Sequence, residues 1–235
     1  MKSIVFDSST IISIATNNLL KTLLRLKEKF NGQFYIPEGA KEEIILKPLS
    51  SRRFKLEAMQ VLSEVGSGVI EIYSNPRVKE RAKQLLDRAN NLIKARGNWV
   101  TIVDETDMEA LALAEYLNAD ALAVDERTIR LLVEDPPAIA NLFENKLHTK
   151  VEVNQNNLNF FKDELKKVKI VRSTELMTVA FELGILDEYT TSDELNIVKI
   201  DLRKNLLEGL LWGLKLNGCA ISEDEINDII KSSLK

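Results

Sequence analysis

The stretch TDMEALALAEYLNADALAVDERTIR, residues 106–130, decides how the fold is read. Thr106-Asp107-Met108-Glu109 opens a helix. Residues 110–117 continue it with high helix propensity, and Asn118 suits its C-terminal cap. Thr106 and Glu109 stand at capping-box spacing, which accounts for Glu109 without any chemistry. Asp120-Ala121-Leu122-Ala123-Val124-Asp125 then reads as a buried strand ending in a carboxylate, and a further helix follows from Glu126. Helix, apolar strand and helix in succession is the alternation of an α/β protein with a parallel sheet.

Working outward, Ser3-Ile4-Val5-Phe6-Asp7 has the same form: a short apolar strand, then an aspartate. An unbroken apolar run predicts burial on both faces, as in a parallel sheet. Ser8, Ser9 and Thr10 suit the start of the next helix. Residues 19–30 predict an amphipathic helix, and residues 33–36 a second strand. Pro37 then suits the first turn of a helix bearing Glu42 and Glu43. Two charged helices are expected over 51–65 and 76–95, with a strand-like segment at 69–73 between them. Residues 169–171 suit a further strand, and 174–183 a helix stopped by Gly184. In the tail, Thr191 with Glu194 and Ser222 with Glu225 fit capping boxes. Residues 202–216 are too apolar to stand alone, so the tail must pack on the main domain or on a second copy.

The 235 residues suffice for one sizeable core, and 45% apolar with 29% charged residues excludes a disordered chain. No run of 18 uncharged apolar residues occurs and the N-terminus does not read as a signal peptide, so a cytoplasmic protein is expected. One cysteine, Cys219, excludes a disulfide and a cysteine-built zinc site. One histidine, His148, excludes two-histidine metal and acid–base sites. Carboxylates remain as the available chemistry. The net charge of −4 is unevenly spread. Residues 1–100 hold 17 Lys+Arg against 10 Asp+Glu, and the remainder 15 against 26.

Parallel sheets present ligands at the carboxyl ends of their strands, where Asp7 and Asp125 stand. Asp107 lies in the helix turn before the second of these strands, and Glu43 on the helix after strand two. Two unit charges ~4 Å apart interact by about 4 kcal/mol at an effective dielectric near 20, so converging acids need protons or a cation. An all-oxygen donor set points to Mg²⁺ or Mn²⁺ rather than zinc. Each acid also has a simpler role open to it. Asp7 suits a helix cap and Asp107 the helix dipole. Glu42 and Glu43 lie about 100° apart on a helix, so one of them faces the site, and the offset from Pro37 favours Glu43.

Asp7 with Ser9, Glu43 six residues after Pro37, the block 107–114, and Asp125-Glu126 with Arg130 resemble the PIN-domain family of metal-dependent nucleases. The resemblance covers roughly residues 1–47 and 101–172. It implies a parallel sheet of four or five strands flanked by helices, over residues 1–185, with 51–100 as a helical insertion and 186–235 as a helical C-terminal extension. It implies Asp7, Glu43, Asp107 and Asp125 as catalytic and metal-holding residues, with Mg²⁺ or Mn²⁺ as cofactor. It also implies hydrolysis of phosphodiester bonds, usually of RNA. Ser9, Glu126 and Arg130 would support the site: Ser9 orienting a carboxylate or water, Glu126 as an outer acid, Arg130 pairing with the acids or a phosphate.

Seven basic residues against two acidic ones crowd 77–96. Arg77, Lys79, Arg81, Lys83, Arg88, Lys94 and Arg96 are therefore the candidate nucleic-acid contacts, as phosphate ligands rather than stacking partners, because no aromatic ladder accompanies them. An alternative is a catalytically weak nucleic-acid-binding module within an assembly. A homodimer through the C-terminal helices is compatible with either. A dehalogenase-type phosphotransferase wants an aspartate where Ser9 stands, and no phosphate-binding glycine loop is present.

Overall fold

Ser3–Phe6 (β1) is buried at every position and runs through the middle of the main sheet, as its apolar run predicts. Around it, the computed structural model describes residues 2–190 and 201–234. Helices α1 (Ser8–Thr16) and α2 (Thr22–Phe30) lead to β2 (Gln33–Pro37). A broken helix follows: α3 (Glu38–Lys41), a π-helical stretch Glu42–Leu46, and α4 (Lys47–Ser50). Then come α5 (Lys55–Gly66), β3 (Glu71–Tyr73), α6 (Pro76–Asn90), β4 (Ile93–Ala95) and β5 (Asn98–Trp99). The stretch that decided the reading becomes α7 (Glu105–Leu117), β6 (Ala121–Ala123) and the start of α8 (Arg127–Glu134). The chain continues through α9 (Ala138–Leu147), β7 (Val151–Val153), α10 (Gln155–Glu164), β8 (Ile170–Val171) and α11 (Ser173–Glu182). The tail contributes α12 (Leu202–Leu216) and α13 (Glu223–Ser233).

The main sheet has the order β3-β2-β1-β6-β8 and every pairing in it is parallel. The fold is therefore α/β, with a parallel five-stranded sheet flanked by helices. Strand alternation divides the core. Ile4 and Phe6 join a cluster with α1, α2, α11, α12 and α13, whereas Val5 joins one with α6, α7, α8 and α10. The tail thus buries Leu207, Leu211 and Leu214 against its own chain. Among the described residues no helix is long and apolar enough to cross a membrane.

Residues 51–100 are more than helices. They supply the edge strand β3 and, through β4 and β5, most of a small antiparallel sheet completed by β7. The expected helix over 76–95 ends at Asn90. The chain then turns back at Arg96 (φ 50°) and Gly97 (φ 80°), the two positive-φ positions of a tight hairpin. The helix start near residue 106 also differs from expectation. The capping box joins Asp104 and Asp107, not Thr106 and Glu109, because Thr106 already lies within the helix. The Ser222–Glu225 box forms as predicted, and Thr191 with Glu194 lies outside the described residues.

Candidate active site

Because β1 pairs with β6 (Phe6 opposite Ala123), the sheet sets Asp7 and Asp125 just past neighbouring strand ends at its carboxyl edge, one register step apart. The Asp7 N–H closes the ladder onto Ala123 O at 2.9 Å. The Asp7 side chain then caps α1. Its Oδ2 accepts from the Ser9 N–H at 3.0 Å and from Ser9 Oγ at 2.5 Å. Its Oδ1 is buried with no hydrogen-bond partner. Burial raises the Asp7 pKa to about 6; the Ser8 and Ser9 hydrogen bonds oppose the rise, and the charge of Glu43 adds to it.

Glu43 comes from the π-helical stretch and is half-buried, while Glu42 is exposed. Ser8 Oγ donates to Glu43 Oε2 at 2.6 Å. Of the two, Glu43 is thus the one bonded to Ser8, next to Asp7 in the chain. Asp107 sits in the first turn of α7, where its Oδ2 accepts the Asp104 N–H at 3.0 Å while Asp104 Oδ1 accepts the Asp107 N–H at 2.9 Å. Burial pushes Asp107 up to about 8; the charge of Asp7 is the next cause, the Asp104 backbone hydrogen bond opposes the rise, and the charges of Asp104 and Glu126 add to it. Glu126 caps α8, accepting from Ile129 N–H at 3.0 Å and Thr128 Oγ1 at 2.9 Å. Asp7, Glu43, Asp107, Glu126 and Asp104 therefore form one electrostatic group.

Asp125 stands apart from that group in its bonding. It is fully buried, and both its oxygens are held by Ser173 at the start of α11: Oδ1 by the backbone N–H at 2.8 Å and Oδ2 by the hydroxyl at 2.7 Å. Its N–H donates to Ser9 Oγ at 3.2 Å, so Ser9 links the two strand-end aspartates. From the sequence, four carboxylates are expected to converge on one point. Among the described residues no three acidic, histidine or cysteine side chains converge to hold an ion.

The supporting residues divide in the same way. Ser9 lies at the centre of the arrangement. Arg130 donates to Ala220 O at 2.8 Å and stands 3.8 Å from Glu134, so it braces the tail. Of the basic residues, Lys79 pairs with Glu38 at 2.6 Å, and Arg81 bonds Glu115 and Glu164, each at 3.0 Å. Arg88 stacks on Phe160 at 4.2 Å, and Lys94 on Trp99 at 4.3 Å. Arg77, Lys83 and Arg96 are exposed. Two of the seven are thus neutralised by ion pairs, two lie against aromatic rings, and three remain exposed.

Three contributors escaped the sequence reading. Glu109 is buried and accepts the Gly39 N–H at 2.8 Å, tying α3 to α7. Asp104 carried a signal, its three-residue spacing from Asp107. Ser173 carried none, because its partner is 48 residues away. Neither family models, curated proteins nor solved structures yield a match to the chain.

Proposed function

We propose that this chain is a divalent-metal-dependent nuclease of the PIN type, hydrolysing phosphodiester bonds of RNA, as an endoribonuclease. The observation that carries the reading is the buried, unpartnered Oδ1 of Asp7, within electrostatic reach of Asp107 and Glu43. A buried anionic oxygen without a donor is costly, and a hard cation resolves it with the all-oxygen set present. Mg²⁺ or Mn²⁺ would be held by Asp7, Asp107 and Glu43 once these side chains, which do not converge in the structure, are drawn onto the ion, with Glu126 as the outer acid. Such an ion, when bound, lowers the pKa of water and neutralises charge developing on the phosphate oxygens.

The chain's own residues prepare that site. Ser9 fixes the Asp7 carboxylate and, through its contact with the Asp125 N–H, ties it to the neighbouring strand end. Ser8 fixes Glu43. Asp107 would be unprotonated with an ion bound. Asp125 acts as a positioning residue that anchors α11 beneath the site.

Asp7→Asn is expected to abolish Mn²⁺-dependent cleavage of a labelled RNA while leaving the circular dichroism spectrum unchanged. Undiminished cleavage would sink the assignment. The full engagement of Asp125 by Ser173 favours a second reading, a nucleic-acid-binding module of low activity. Titration calorimetry separates the two, since the second predicts no Mn²⁺ uptake.

A further inference from the structure

The broken helix that delivers Glu43 also builds one wall of an apolar cleft. The cleft, of about 110 Å³, lies between α1 and α5 and is lined by Ile11, Ile12, Glu43, Ile44, Phe54 and Val61 among others. Its lip is Phe54, which is 47% exposed and has φ 60°. A bulky aromatic side chain in left-handed backbone is uncommon, and such strain tends to gather at ligand-binding positions. The Arg53 guanidinium lies over the Phe54 ring at 5.1 Å.

Charge at this lip differs from that on α6. Residues 47–55 contain Lys47, Arg52, Arg53 and Lys55 and no acid. All four are exposed, and none makes an ion pair among the described residues. Glu57 on the cleft wall is the nearest acid in sequence outside the site. An exposed aromatic flanked by cations without ion pairs, opening beside a carboxylate of the acid site, combines a stacking face with phosphate ligands.

We propose that the Phe54 cleft docks an unpaired nucleobase beside the acid site. Phe54 serves as the stacking platform, and Arg52, Arg53, Lys47 and Lys55 hold the adjoining phosphates. The inference rests on the nuclease reading for the identity of its ligand. It assigns the substrate-facing surface to the 47–55 segment rather than to 77–96.

Binding is measured by fluorescence anisotropy with labelled oligouridylate and with a duplex of equal length, in EDTA so that no cleavage intervenes. Wild type is expected to favour the single strand. Phe54→Ala should weaken single-strand binding roughly tenfold with an unchanged salt slope, and Phe54→Tyr should restore it. Arg52→Ala with Arg53→Ala should lower the salt slope by about 1–2. Thermal melts verify that each variant is folded.

The inference is overturned if Phe54→Ala binds as wild type does, or if Arg77→Ala with Lys83→Ala produces the larger loss. It is also overturned if light scattering shows a dimer that Phe54→Asp dissociates, since a second copy would then occupy the cleft. Phe54-dependent binding without Mn²⁺-dependent cleavage supports the inference and overturns the nuclease reading alone. Cleavage with Phe54-independent binding does the reverse.

Discussion

Asp7 and Asp107 are ordinary carboxylates placed where their charge is unwelcome, and that fixes how stability follows pH. Each binds its proton more tightly in the folded chain than in the unfolded one, where the usual value is 3.8. The native state therefore carries extra protons above pH 4. Stability is fully present below that point and is lost as pH rises through about 6 for Asp7 and about 8 for Asp107. For Asp7 alone the rise to about 6 corresponds to about 3 kcal/mol. Melting temperature in EDTA should fall between about pH 4 and about pH 8, and Asp7→Asn should flatten the lower part of that fall. Mn²⁺ should stabilise the chain more at pH 8 than at pH 6, since it replaces protons. A flat profile in EDTA would show that the acids are better solvated than the burial of Asp7 implies. The positions of Asp7, Glu43 and Asp107 at fixed offsets from element boundaries were legible in the sequence, but their expected convergence is not found among the described residues. The distinct role of Asp125 was not legible, because Ser173 meets it only after the sheet has formed.

Elements rather than single residues decide where Glu43 and Asp107 stand. The tie between them is the contact of α3 with the first turn of α7, where Gly39 approaches Glu109 and Thr106. A Cβ at Gly39 would stand 2.8 Å from Glu109 Oε2 and 3.2 Å from Thr106 Oγ1. Gly39→Ala must therefore push the Glu109 carboxylate out of its hydrogen bond with the Gly39 N–H. The variant should lose about 1–3 kcal/mol in denaturant unfolding, and calorimetry should show weaker Mn²⁺ uptake, because α3 leads into the Glu43 stretch. An unchanged midpoint would mean that the two helices separate without cost. Local sequence could not show this contact. Glu109 had a sufficient explanation nearby in Thr106, and the tertiary one lies 70 residues away. The end of α6 follows the same logic. Residues 93–95 continue a helical pattern in sequence but pair with Val151–Val153 across the small sheet. By contrast, β1 and β6 were legible because burial on both faces leaves its mark in an unbroken apolar run.

At the scale of the whole molecule, the tail is bound to the same aspartate that the sheet edge presents. The Ala220 N–H donates to Asp125 O at 3.3 Å, and Ala220 O accepts from Arg130 at 2.8 Å and Arg172 at 3.3 Å. Arg172 also bonds Glu175 at the start of α11 and Glu225 at the start of α13, the latter at 2.8 Å. One nearly buried guanidinium thus joins the strand-end loop, α11 and the tail. Glu225 is partly desolvated, which raises its pKa. The Ser222 and Arg172 hydrogen bonds outweigh this and bring it to about 2. Its contribution is present above its usual 4.5 and is lost as pH falls towards 2, opposite in sense to that of Asp7. Arg172→Ala should cost about 1–2 kcal/mol, less than a fully buried pair, because Glu175 and Glu225 remain partly exposed and hydrated. Arg172→Lys should recover little, since a single ammonium cannot span two carboxylates and a carbonyl. Hydrogen exchange offers the discriminating readout. Amides of α13 and of the Ala220 segment should exchange faster in Arg172→Ala, while those of β1 and β2 keep their protection. Equal acceleration throughout would show that the tail unfolds only with the sheet, and that Arg172 holds the fold as one unit rather than fastening the tail to it.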